Sequence, residues 1–143
     1  CQYMDNNEFN KMVEAEKWLY NYKSIKAGIE SLKEEYEVLS DAGSGIDTSR
    51  EATSKTYKFS SETENTAIKL ALLDGRIRTM ERKVEQIDRA LAALNNIERE
   101  VIEYKCIEGM YYYEFTYKVC MGERQCMRIK KRALKKIAIA LGL

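Results

Sequence analysis

Apolar side chains in this chain recur at alternating steps of three and four over two long stretches, and no proline interrupts either one. In residues 8–39 the stripe is Ala15, Trp18, Tyr22, Ile25, Ile29, Leu32, Tyr36 and Leu39. In residues 65–94 it is Leu70, Leu73, Ile77, Met80, Val84, Ile87, Leu91 and Leu94. That spacing puts each set on one face of an α-helix and matches a coiled-coil seam, with Glu, Lys and Ser filling the wet side. Proline is absent from all 143 residues and glycine occurs only seven times, so little stops a helix from propagating. The residues are 45% apolar, enough for a core, and 33% charged, which suits helices with one solvated face. The expected fold class is all-α.

Two helices with matching stripes pack against each other or against copies of themselves. The stretch between them, SDAGSGIDTSREATSKTYKFSSET at 40–63, is half Ser, Thr or Gly. It reads as a flexible connection, mobile in part, that returns the chain. Residues 1–94 are therefore expected to form an antiparallel helical hairpin or coiled-coil arm. A homodimer through these N-terminal helices is the intermolecular alternative.

After Leu94 the character changes. NNIEREVIEYKCIEG supplies an asparagine pair suited to capping, an apolar stripe of Ile97, Val101, Ile102 and Ile107, and Gly109 at a helix end. Two more helical segments follow, at 111–119 and roughly 122–140. Residues 95–143 are expected to form a separate helix-turn-helix domain.

The spacing inside 112–131 carries that expectation. In a helix-turn-helix two helices joined by a tight turn must bury particular positions against each other and against a third helix. With Tyr112 as the first residue of the unit, the buried fourth, eighth, tenth, fifteenth and eighteenth positions are Phe115, Val119, Met121, Cys126 and Ile129, all apolar. The closest approach falls on the fairly small Thr116. The outward positions are Gly122, Glu123, Arg124, Met127, Arg128 and Lys131. One position departs: Cys120 stands in the turn where glycine is favoured, because that residue takes a positive φ. A β-carbon there costs roughly 1 kcal/mol.

Charge points the same way. The net charge is only +1, yet Arg124, Arg128, Lys130, Lys131, Arg132, Lys135 and Lys136 form a run without one acidic residue, while residues 1–40 hold eight acidic residues against five basic ones. Such asymmetry suits a polyanion at one end of a near-neutral body. Arg124 and Arg128 suit guanine O6/N7, and Glu123 suits cytosine N4. Gln125 is also expected among the DNA contacts and Lys131 faces the groove, whereas Lys130, Arg132, Lys135 and Lys136 are expected on phosphates. The tyrosines at 111–113 either stack on bases or contact the backbone through their hydroxyls, or, more often for such residues, pack the start of their helix with one reaching a phosphate; Tyr112 is the one expected among the DNA contacts. The bland alternative is an amphipathic hairpin with a solvated basic side.

The four cysteines form no C-x-x-C pair and histidine is absent, so neither a metal site nor a cofactor is expected. The cysteines read as small buried thiols in a reducing cytosol. No apolar run approaches the about 20 residues of a membrane span. No enzyme is expected, because the chain lacks a phosphate-binding Gly loop and any carboxylate cluster with a nucleophile. The chain opens on Cys1, and Met4 is the expected native start.

Residues 94–143, LNNIEREVIEYKCIEGMYYYEFTYKVCMGERQCMRIKKRALKKIAIALGL, resemble the DNA-binding end of the fourth conserved region of bacterial sigma factors. More closely they resemble phage and prophage late-gene transcription regulators of the RinA/ArpU type, similar in length and ending in LG. The resemblance implies activation of late operons through promoter DNA, with host RNA polymerase as a further partner, in the cytoplasm of a bacterial cell. Cys120 and Gly122 depart from the pattern, the latter where a Ser or Thr cap is common. A phage terminase small subunit that recognises DNA for packaging and a helical adaptor that binds no DNA remain the alternatives.

Overall fold

The structure, a computed structural model, describes residues 6–44 and 56–143. The described residues are helical throughout apart from short turns. The elements are α1 (Asn6–Tyr20), α2 (Tyr22–Ser44), α3 (Thr56–Ala92), α4 (Asn96–Ile102), α5 (Tyr112–Val119) and α6 (Glu123–Ala140). The α-helical turns of α4 pass into a π-helical turn over Glu103–Ile107. The all-α class expected from the stripes is the class observed.

The first stripe is shared by two helices. The chain turns at Asn21 without losing its hydrogen-bond ladder: Asn21 N–H donates to Lys17 O and Ile25 N–H to Asn21 O. The expected connection over 40–63 is shorter at both sides, because α2 continues to Ser44 and α3 already begins at Thr56. Ser and Thr are only mildly unfavourable in helices, and continuation of the ladder outweighs them. The rest of that expected loop, 45–55, lies outside the described residues, as does Met4.

The chain divides into two compact units: Cys1–Ile25 with Lys83–Leu143, and Lys26–Arg82. The second is the hairpin. Its seam buries Ile29 and Leu32 of α2 with Leu73 and Ile77 of α3. Lys33 Nζ meets Glu81 Oε2 at 3.3 Å on its flank. A Cβ at Gly28 would lie 2.7 Å from Met80 Cε, the flexible end of a side chain that can shift aside.

The other unit differs from the expected 95–143 domain by taking in α1 and the last turns of α3. The reason is burial. Met12, Ala15 and Leu19 of α1 pack with Ile87, Ala90, Leu91 and Leu94, with Ile102 and Cys106, and with Ala133, Leu134, Ile137, Ala138 and Leu141. Residues 95–143 supply only part of this cluster, and α1 with the end of α3 supplies the rest. A second cluster joins Val101, Phe115, Val119, Cys126 and Ile129. Helix α6 therefore serves both cores along one stripe, its first half in the second cluster and its latter half against α1.

The turn between α3 and α4 is built by the expected asparagine. Asn95 caps α4: its side chain accepts from Glu98 N–H at 2.9 Å, and Glu98 Oε1 accepts from Asn95 N–H at 3.0 Å. This reciprocal capping box satisfies two helix-start donors at once. Arg99 then donates to the carbonyls of Leu91 and Leu94 at 3.0 and 3.1 Å, closing the end of α3.

Candidate nucleic-acid interface

Helices α5 and α6 meet through the turn Cys120–Gly122. Cys120 sits in the left-handed region at φ 56°, ψ 40°, as the helix-turn-helix register requires, and its N–H reaches Thr116 O. Met121 N–H also donates to Thr116 O, at 3.3 Å. Phe115, Val119, Cys126 and Ile129 are buried together with Met121 packed beside them, so all five inward positions of the register hold. Tyr104 and Tyr112 flank the Phe115 ring at 5.4 and 5.7 Å. Gly122 begins α6 from extended backbone and offers no side chain to the helix start. Glu123 in the first turn opposes the positive end of the helix dipole.

Glu123, Arg124, Gln125, Met127, Arg128 and Lys131 are all exposed. Arg124, Arg128 and Lys131 stand at helical steps of four and three, on one face of α6. None of the three has a carboxylate partner among the described residues.

The other basic residues stand differently. Lys130 Nζ lies 2.6 Å from Glu16 Oε2 of α1, both well covered. Burial alone lowers the Lys130 ammonium, but its hydrogen bond to Glu16 outweighs this and holds it above the ordinary lysine value. Lys135 reaches Glu8 of α1 at 3.6 Å. Arg132 and Lys136 both converge on Glu98, at 3.0 and 2.9 Å. Lys130, Arg132, Lys135 and Lys136, expected on phosphates, thus each have a carboxylate of the same chain beside them. Folding α1 and α4 against α6 brings carboxylates within reach of all four.

Glu98 is the anchor of this network, and its side chain is wholly buried. Burial pushes its carboxyl up. The donors Lys136, Asn95 and Arg132 outweigh that and leave it below the ordinary value. Sequence reasoning missed Glu98, although the N-x-x-E spacing from Asn95 is a legible capping-box signal.

Tyr112 packs the start of its helix, one of the two roles open to the three tyrosines. Its ring is half buried against Phe115, with Lys105 Nζ 4.6 Å from the ring centre, and burial raises its hydroxyl. The outward tyrosines are its neighbours, Tyr111 and Tyr113, because a helix start turns adjacent residues to opposite sides. Cys106 and Cys126 are buried, and burial pushes the Cys106 thiol up to about 12. Cys120 is exposed, unlike the buried thiol expected there.

One protein family, described only as "Protein of unknown function (DUF722)", matches residues 14–139. The chain belongs to that family. The match takes in both the hairpin and the C-terminal helices. No curated protein and no solved structure matches the chain. Among the described residues, no helix is long and apolar enough to cross a membrane.

Proposed function

We propose that the chain is a sequence-specific regulator of transcription that reads duplex promoter DNA with the first half of α6. The observation that carries this is the division of the basic run. Lys130, Arg132, Lys135 and Lys136 pair with carboxylates of α1 and α4, while Arg124, Arg128 and Lys131 share one uncovered face without such partners. A merely solvated helix has no reason to leave its uncompensated cations in register at the start of the second helix of a helix-turn-helix. That location is where such motifs present side chains to base edges. The resemblance of residues 94–143 to late-gene regulators favours phage or prophage promoters, with host RNA polymerase as a further partner.

Selection of bound duplexes from a random pool tests the reading. Arg124→Ala and Arg128→Ala should each weaken the selected duplex by about 1–3 kcal/mol and scarcely affect random duplex. Equal losses on both would refute base reading by these residues. A native mass corresponding to a ring of many copies would instead mark DNA packaging.

A further inference from the structure

Three large aromatic side chains lie open on the first helix of the helix-turn-helix. Tyr111, Tyr113 and Tyr117 are 63%, 68% and 71% exposed, within seven consecutive positions. The rings of Tyr111 and Tyr113 lie 5.7 Å apart and 7° from parallel, so each holds the other in place. Tyr117 follows Tyr113 by one helical turn and lines a shallow groove with Thr116, Cys120, Met121, Gly122 and Glu123. The tyrosines thus form a strip that runs into the start of α6. Lysines interleave with it: Lys105 Nζ is 5.7 Å from the Tyr111 ring and Lys118 Nζ 5.9 Å from that of Tyr117. None of the three hydroxyls has a hydrogen-bond partner among the described residues.

We propose that this strip is a second DNA contact, in which the hydroxyls of Tyr111, Tyr113 and Tyr117 donate to backbone phosphates beside the groove that α6 enters. The inference rests on the DNA-binding reading above. When the second helix of this motif enters the major groove, the first crosses the sugar–phosphate backbone, which sets the strip against phosphates. Tyrosine suits that place because it presents a rigid body with one polar tip. The Tyr111–Tyr113 stack lowers the rotamer freedom lost on binding. Backbone contacts of this kind position a protein without reading sequence.

The test uses the full chain carrying Tyr111→Phe, Tyr113→Phe and Tyr117→Phe together, beside the triple alanine variant. Affinity is measured on a random-sequence duplex and on a selected duplex. Each hydroxyl should contribute about two- to tenfold. The phenylalanine variant should lose affinity by the same factor on both duplexes, with the salt dependence unchanged because a neutral donor releases no counterion. Its thermal unfolding should match the wild type, since exposed hydroxyls without partners do not hold the fold. Wild-type affinity in the phenylalanine variant, with loss only in the alanine variant, overturns the hydroxyl contact in favour of the rings. Loss on the selected duplex alone overturns backbone contact. If the wild-type chain binds neither duplex at low salt, the DNA reading itself falls and this inference with it.

Discussion

Replacing Glu98 with glutamine keeps the shape of the side chain and removes its charge at the point where three donors meet. The carboxylate accepts from Asn95 N–H at 3.0 Å, Lys136 Nζ at 3.0 Å and Arg132 Nε at 3.0 Å, and is itself shut away from water. Hydrogen bonds to a charged group contribute about 1.5–3 kcal/mol each. The cationic heads are roughly half exposed, however, and regain water when the partner is lost, so much of that is screened. Glutamine still offers an oxygen to Asn95. A loss of about 2 kcal/mol at neutral pH follows. Glu98→Ala removes the cap as well, which adds about 1 kcal/mol.

The pH dependence separates charge from shape. The carboxyl of Glu98 is held below its ordinary value in the folded chain. Its contribution is therefore fully present above the ordinary value and is lost as pH falls through the lowered one. The gap between wild type and Glu98→Gln should close in strong acid. Urea unfolding followed by Trp18 fluorescence reports the right unit, because this lone tryptophan packs against the α1–α6 core. A gap below about 0.5 kcal/mol, or one that stays constant between neutral and acid pH, would refute the argument that Glu98 acts through its charge.

Two other outcomes follow from the turn and from the ion pairs. Cys120→Gly should stabilise the protein by up to about 1 kcal/mol in the same urea experiment, because Cys120 is the non-glycine residue held at positive φ among those described. A destabilised variant would show that the thiol does more than occupy the turn. On random-sequence duplex, the logarithm of affinity should fall with the logarithm of salt with a slope of roughly −3, from the uncompensated Arg124, Arg128 and Lys131. A slope near −6 would mean that all seven cations of the run reach phosphates and that the internal pairs open on binding.

The features legible in the sequence were those set by local spacing. Phe115, Val119, Cys126 and Ile129 could be placed because their burial follows from helical period and the length of one turn. Cys120 could be singled out because a single backbone conformation limits what belongs there. Asn95 was visible as a cap for the same reason. What stayed hidden depended on partners far away in the chain. The pairing of Lys130, Arg132 and Lys135 was out of sight because Glu16, Glu98 and Glu8 come near only after α1 and α4 have packed. The place of α1 was hidden similarly: its stripe looks like half of a coiled coil, and nothing local says that its partner is α6. The exposed tyrosines were noticed as a trio at 111–113, yet which of them faces outward depends on where α5 begins.

The sharing of one core by α1 and α6 also bears on how the chain is made. Met12, Ala15 and Leu19 emerge from the ribosome early, while Ala133, Leu134, Ile137 and Ala138, against which they pack, are added much later. The hairpin seam of Lys26–Arg82 is complete well before that. Synthesis therefore delivers the hairpin first, and the unit that contains α1, α4, α5 and α6 closes only when α6 arrives. Because α6 carries the residues that cover α1, a chain cut short before α6 would expose apolar surface for degradation.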